Sequence, residues 1–262
     1  MHEYLQALIL ALVQGLSEFI PVSSSGHLII FEEILGSSFG GIVFDVVLHF
    51  GTLLSLLVYF RKDLLRFIAS AYDPNSKDRR LAINLVIATI PAAIAGFFLF
   101  DITEKLMRSL WLVVFMLVFL SILMFVADRV KGSRDVDDIT TKDALIIGFA
   151  QALSLIPGTS RAGSTIVAGS LLGLNNAESA RFSFLMAIPI LIGANVRVLS
   201  SEGSIAVVIE HLDSYILGLI VSFVVGYMVI KFLLSYLSNH SLAVFAWYRI
   251  ILAVVIVGVL II

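Results

Sequence analysis

Residues 14–27 read Gln-Gly-Leu-Ser-Glu-Phe-Ile-Pro-Val-Ser-Ser-Ser-Gly-His, a polar run with one proline that interrupts an apolar stretch. Residues 151–163 read Gln-Ala-Leu-Ser-Leu-Ile-Pro-Gly-Thr-Ser-Arg-Ala-Gly, about half the chain further on. If the first copy contains one inserted residue, Gln-x-Leu-Ser and Ile-Pro align in both copies, and Ser24 matches Ser160. Self-similarity on this scale indicates an internal duplication rather than a short solenoid repeat.

The sequence around these two copies is typical of an integral membrane protein. Of its 262 residues, 60% are hydrophobic and 14% are charged, whereas a soluble domain usually carries about 25% charged residues. A helix that crosses a bilayer core needs about 20 apolar residues. Six segments meet that requirement, and we expect an all-α protein with six transmembrane helices at 43–60, 81–100, 110–127, 180–199, 214–234 and 243–262.

The composition also excludes several classes of function. The chain has no cysteine, which excludes disulfides, thiolate metal sites and a cysteine nucleophile. It has neither a basic tail nor an arginine-rich face, so we expect no nucleic-acid partner. The expected surroundings of the protein are the lipid bilayer.

Two further apolar stretches, 5–35 and 144–174, are broken at Pro21 and Pro157. We predict that each forms a re-entrant helix pair that enters and leaves on one side of the membrane. Three spans follow each pair, so repeat one (about 1–127) and repeat two (about 128–262) have opposite orientations in a single membrane domain. This inverted repeat is an arrangement in which functional sites lie near the midplane, at broken helices.

The distribution of basic residues predicts the orientation. Loops 61–80 and 128–142 are rich in Lys and Arg, whereas loop 200–213 has none. The positive-inside rule therefore places the first two loops in the cytoplasm. Both termini then face outside, and the first broken stretch opens to the outer face.

Glu18 is the most unusual residue of the first stretch. An ionised carboxylate near the bilayer centre costs at least about 2.5–3.5 kcal/mol. Gln14 lies four residues earlier and shares its helix face. A carboxylate here either pairs with Arg161 for structure or serves as a metal ligand or a proton-handling group. Asp45 and His49 are also four apart, and for them we predict a structural role or one in substrate access.

The serines after Pro21 predict an anion site. Serines ahead of an apolar run are good helix N-caps, and a helix N-terminus attracts anions. The second stretch repeats the device and adds Arg161, whose guanidinium can bind two phosphate oxygens at once. The alternatives are plain capping and an arginine that contacts lipid headgroups. The residues concerned are Ser23, Ser24, Ser25, His27, Ser160, Ser164 and Thr165.

If the two breaks meet at the midplane, the residues together suit attack on phosphorus. A serine or histidine supplies the nucleophile, activated by a neighbouring base. Arginine and the helix ends stabilise the developing charge. A carboxylate could hold a divalent cation that bridges phosphate oxygens.

These motifs closely resemble those of the undecaprenyl pyrophosphate phosphatase family, the type associated with bacitracin resistance, over the whole chain. The resemblance implies removal of the terminal phosphate from a C55-type polyprenyl diphosphate, which recycles the lipid carrier for cell-envelope glycan synthesis. It also implies dependence on Mg²⁺ or Ca²⁺ and a site reached from the outer face of the cell membrane. The chain departs from the family at Gln14, where Glu is usual, and at Ala162, where Ser is usual.

Carried over by this resemblance, Glu18, His27 and Arg161 are essential, and Ser24 is the nucleophile with His27 as the alternative. Glu18 and Gln14 are the candidate metal ligands. The implied phosphate ligands are Ser23, Ser25, Ser160, Ser164 and Thr165. A homodimer is an open alternative to a monomer. The second functional hypothesis is a lipid-phosphate transporter or flippase, because inverted repeats with broken helices are typical of transporters.

Overall fold

The computed structural model describes residues 2–36, 41–106 and 109–261. Within these ranges the chain forms twelve α-helices and one short 3-10 helix, Val136–Asp138. The α-helices are α1 (His2–Ser17), α2 (Ser24–Leu35), α3 (Gly41–Tyr59), α4 (Arg61–Ala69), α5 (Lys77–Leu106), α6 (Leu110–Ala127), α7 (Thr141–Leu153), α8 (Arg161–Leu171), α9 (Asn176–Leu199), α10 (Ser204–Glu210), α11 (Leu212–Leu237) and α12 (Ala243–Ile261).

The prediction of six membrane-spanning helices is confirmed. Helices α3, α5, α6, α9, α11 and α12 are long and apolar enough to cross a membrane. Helix α9 begins four residues before the predicted start because the Asn175 side chain accepts a hydrogen bond from the amide of Glu178 and caps the helix. The predicted end of the last span, Ile262, lies outside the described residues.

Each broken stretch is a pair of short helices. Helices α1 and α2 have 16 and 12 residues, and α7 and α8 have 13 and 11. All four are shorter than the roughly 20 residues that a span needs. The re-entrant path of each pair, the opposite orientation of the two repeats and the sides of the termini stay predictions.

The two halves of the chain share one order of elements: two short helices, one span, one short helix and two spans. In both halves the second short helix begins after a serine with left-handed backbone, Ser23 with φ 77° and Ser160 with φ 73°. Ser23 therefore corresponds to Ser160, and Ser24 corresponds to Arg161. The alignment that matched Ser24 with Ser160 is wrong, because the extra residue before Pro21 is balanced by an extra residue after Pro157.

Close packing between helices fixes the position of the breaks. A Cβ atom on Gly51 of α3 would lie 2.0 Å from the Ser222 hydroxyl oxygen of α11, so these two helices can touch only at a glycine. The ring of Phe19, directly after Glu18, packs edge-on against Phe184 of α9 at 5.2 Å between centroids. The first break is thereby anchored to the core beside a span of the second half.

Candidate active site

The first break is shaped by its cap. The amide of Glu18 still donates to the Gln14 carbonyl at 2.9 Å, as in a helix, and the chain turns before Ser23. The Ser23 hydroxyl accepts from the amide of Gly26 at 3.4 Å. A left-handed serine is an unusual, strained conformation. It turns the first turn of α2, with Ser24 and His27, towards the end of α1.

The second break uses the same device. Ser160 accepts from the amide of Gly163 at 3.1 Å, and Arg161 is the first residue of α8. Gly158 has φ +85°, and a Cβ atom there would lie 2.8 Å from the Val113 backbone. Only glycine therefore fits at this position, where the break lies against α6.

The two breaks meet at the Glu18 carboxylate. Arg161 Nη2 donates to Glu18 Oε1 at 2.6 Å, and Ser24 Oγ donates to Glu18 Oε2 at 2.8 Å. Gln14 Nε2 donates to the same Oε2 at 3.1 Å. Four of the residues singled out from the sequence thus form one cluster around a buried carboxylate.

His49 is a fifth member of this cluster. Its Nε2 lies 3.5 Å from Glu18 Oε2, while its Nδ1 bonds to the Asp45 carbonyl at 2.8 Å. From the sequence we predicted only a structural or substrate-access role for His49. The four-residue spacing of His49 from Asp45 can be read from the sequence, whereas the contact of His49 with Glu18 depends on how α3 packs against the first break.

His27 lies at one side of the cluster and has a fixed tautomer. Its Nδ1 is 2.7 Å from the Ser23 carbonyl oxygen, which can only accept, so Nδ1 carries the proton. Its Nε2 is 2.7 Å from the Tyr248 hydroxyl and accepts from it. The lone pair of His27 is thus held by Tyr248 of α12, a residue that sequence reasoning did not assign to the site.

The predicted phosphate ligands differ in what they contact. Ser23 and Ser160 are caps, and the Ser25 hydroxyl lies 3.4 Å from that of Ser23. The Ser164 hydroxyl donates to the Arg161 carbonyl at 3.1 Å. The Thr165 hydroxyl bonds to Ser183 of α9 at 2.6 Å.

Some buried polar atoms of the cluster still have hydrogen-bonding capacity. Within the described part of the chain, Arg161 Nη1 and Gln14 Oε1 are buried without a hydrogen-bond partner. Buried polar atoms are normally paired. Unpaired donors and acceptors beside a carboxylate indicate a site that a polar ligand completes.

Arg249 holds the two breaks together. It is fully buried and donates to the carbonyls of Pro21 at 3.3 Å and Gly158 at 2.9 Å. It also donates to Met116 and Leu117 of α6 at 3.1 and 3.3 Å. The signal in the sequence was a cationic residue inside an apolar span. Burying a charge there costs free energy, so such a residue is a candidate functional residue by default.

The cluster also bears on metal binding. No group of three or more His, Cys, Asp or Glu side chains within the described ranges is placed to hold a metal ion. Glu18 and Gln14, whose side chains are bonded to each other through Gln14 Nε2, nevertheless offer hard oxygen donors. Mg²⁺ is often bound by one or two carboxylates together with substrate phosphates rather than by a protein cage. The residues therefore fit a cation that is shared with a phosphate ligand.

The chain is similar to known proteins over nearly its whole length. The family model described as "Bacitracin resistance protein BacA" matches residues 7–255. The chain is 43% identical over 271 residues to "Undecaprenyl-diphosphatase" of Rubrobacter xylanophilus, covering 99% of each chain. It is 41% identical to the protein of the same name from Idiomarina loihiensis, covering 97% of each chain. The similarity thus includes both breaks and all six spans.

Proposed function

Because the chain belongs to the family of the bacitracin resistance protein BacA, we propose that it is a membrane-embedded undecaprenyl-diphosphatase. It hydrolyses an undecaprenyl-type diphosphate to the monophosphate and inorganic phosphate, the reaction that its relatives' names describe. The observation that carries this proposal is the Glu18 carboxylate, which is bonded at once by Ser24 from one break and by Arg161 from the other.

Ser24 is the proposed nucleophile. Its hydroxyl already donates to Glu18 Oε2, which is the arrangement of a nucleophile and its base. The Ser24 oxygen bonds to the terminal phosphorus, its proton passes to Glu18, and the bond from that phosphorus to the bridging oxygen breaks. Prenyl monophosphate leaves. Water then hydrolyses the phosphoserine and releases inorganic phosphate.

Arg161 and the two helix ends stabilise the charge of this reaction. Arg161 keeps one buried nitrogen without a partner while the other is bonded to Glu18, so it can contact carboxylate and phosphate together. The N-termini of α2 and α8 add the positive ends of two helix dipoles, which favour developing negative charge. The proposed phosphate ligands remain Ser23, Ser25, Ser160, Ser164 and Thr165.

His27 is the alternative nucleophile. Its Nε2 has a lone pair, but that lone pair accepts from the Tyr248 hydroxyl. Attack by His27 therefore requires Tyr248 to release it, whereas Ser24 needs no such rearrangement. For this reason we favour Ser24.

We further propose a divalent cation, Mg²⁺ or Ca²⁺, held by Glu18 and Gln14. When bound it supplies neutralisation of the phosphate charge. We also propose that both termini face outside and that the first break opens to the outer face. The Lys and Arg residues of loops 61–80 and 128–142 support this orientation.

The experiment is phosphate release by the purified protein in detergent from an undecaprenyl diphosphate, with Mg²⁺ and with a chelator. We expect metal-dependent release that is lost in Glu18→Ala, His27→Ala and Arg161→Ala. Glu33→Ala is the control, because Glu33 is exposed on α2. No release from the folded wild type, across several prenyl lengths, would refute the proposal.

Transport of a lipid phosphate is the second candidate. The observation that favours it is the common order of elements in the two halves, since repeats with broken helices are a transporter architecture. Reconstituted Ser24→Ala protein separates the two activities. Hydrolysis is lost in this variant, and any transport of prenyl phosphate is retained.

A further inference from the structure

An apolar cavity of about 440 Å³ lies between α1, α2 and α12, and we call it the tail cavity. Val13 and Leu16 of α1, Phe31 of α2 and Val244 of α12 form much of its wall. Its volume is within the range of about 300–1,000 Å³ found for ligand sites. It opens to the surface of the helix bundle, because Leu16, Val244 and Tyr248 on its wall are 49%, 57% and 45% exposed.

The polar side chains on this wall already have partners. The Ser17 hydroxyl donates to the Val13 carbonyl at 2.6 Å. His27 is bonded to the Ser23 carbonyl on one side and to the Tyr248 hydroxyl on the other. A polar occupant would lose its hydrogen bonds to water and gain few in return, whereas a hydrocarbon loses none. The wall therefore selects an apolar occupant.

The tail cavity adjoins the polar cluster. Ser17 on its wall is followed directly by Glu18, and His27 on its wall shares the first turn of α2 with Ser24. The polar cluster has the opposite character, since Arg161 Nη1 and Gln14 Oε1 are buried without partners in the described part of the chain. A charged compartment next to an apolar one fits a molecule with a charged head and a hydrocarbon tail.

We propose that the tail cavity binds the isoprene units next to the diphosphate of the substrate. This inference rests on the proposed function and adds a second binding site to it. Tyr248 lies between the tail cavity and the polar cluster. Its side chain forms part of the cavity wall, and its hydroxyl is hydrogen-bonded to His27. The tail thereby holds the diphosphate in register with Ser24, and the remainder of the chain continues into lipid.

The first test fills the cavity. Val244→Trp places a large ring on the wall, and Val254→Trp is a matched control on the same helix, because Val254 is 66% exposed and outside the wall. The measurement is KM and kcat for farnesyl diphosphate. Displacing about two methylene groups of the tail raises KM roughly tenfold. We expect this rise for Val244→Trp and for Leu16→Trp on the opposite wall, with kcat little changed. Equal KM values in all three variants would overturn the proposal.

The second test does not depend on hydrolysis. A non-hydrolysable farnesyl diphosphonate with a diazirine on its first isoprene unit is photolysed with the wild-type protein, and the labelled peptides are sequenced. We expect labels on the cavity wall of α1 and α12, and their loss in Val244→Trp. Labels confined to other lipid-facing helices would overturn the tail cavity. Wall labelling without any phosphate release would instead show that the proposed hydrolysis, and not the binding site, is wrong.

Discussion

Arg161 and Glu18 lie 143 residues apart in the sequence, and their side chains are 2.6 Å apart. Their side-chain exposures are 11% and 5%, so this ion pair is largely shielded from solvent. Removing one partner of a buried pair leaves an uncompensated charge, which costs about 3–5 kcal/mol. Replacing both partners by uncharged groups avoids that cost.

The pair therefore predicts a specific pattern of stabilities. We expect Glu18→Gln and Arg161→Met each to lower the thermal midpoint in detergent, and the double variant to recover much of the loss. Phosphate release stays abolished in all three, because the double variant restores neither base nor phosphate ligand. Additive losses of stability in the double variant would contradict the interpretation of a desolvated pair.

Ser24 and Ser25 form a matched pair for testing the nucleophile. Only the Ser24 hydroxyl is bonded to Glu18; the Ser25 hydroxyl lies near that of Ser23. We expect Ser24→Ala to lower kcat at least about 100-fold and Ser25→Ala less than about tenfold. A phosphoenzyme trapped with labelled substrate should be stable in acid, as phosphoserine is. An acid-labile phosphoenzyme that persists in Ser24→Ala would identify His27 as the nucleophile instead.

The hydroxyl of Tyr248 can be removed while its ring stays on the wall of the tail cavity. Tyr248→Phe deletes the hydrogen bond to His27 Nε2 and keeps the ring. Because one such bond contributes about 0.5–1.5 kcal/mol, we expect kcat to change by about two- to tenfold with KM nearly constant. Tyr248→Ala removes the ring as well and should raise KM. A kcat for Tyr248→Phe equal to that of the wild type would show that this bond does not position His27.

Arg249 should be among the least replaceable residues for stability. Its guanidinium satisfies carbonyls of both breaks and of α6. We expect Arg249→Met to reduce the free energy of unfolding by about 3 kcal/mol or more, because several buried carbonyls lose their donors together. Arg249→Lys should recover little, since an ammonium lacks the planar fork. The exposed Arg129 provides the control, and Arg129→Met should leave the thermal midpoint unchanged.

Asp143, a largely buried carboxylate outside the spans, predicts a dependence on pH. Burial alone would raise the pKa of Asp143, but hydrogen bonds from Arg134 and Thr140 outweigh it and hold the pKa below 3.8. The unfolded chain takes up the proton first, so this contribution to stability is present above about pH 4 and is lost as pH falls through the folded pKa. Asp143→Asn should therefore be less stable than the wild type at pH 7. The difference in thermal midpoint should shrink in acid, and a constant difference would contradict the argument.

Much of the fold follows from hydropathy because a bilayer imposes one length on every crossing. The meeting of Glu18 and Arg161 was likewise foreseeable. The two polar breaks of a duplicated apolar chain can avoid lipid by packing against each other. The contacts of His49, Tyr248 and Arg249 were not foreseeable. They depend on how α3 and α12 rotate against the breaks, and tertiary packing sets that rotation. The correspondence between Ser23 and Ser160 could be assigned only from the backbone angles. The sequence alone allowed an alignment with a gap that matched Ser24 with Ser160.

The place of Arg249 in the chain has a consequence for biosynthesis. The side chain that bonds to both Pro21 and Gly158 belongs to α12, which leaves the ribosome after every other described part of the site. Until that helix inserts, the two breaks lack the guanidinium that bonds to both, and we expect the geometry of Glu18, Ser24 and Arg161 to be less constrained. We therefore expect hydrolytic competence to arise only once α12 has inserted, and chains that lack α12 should be inert towards the lipid carrier.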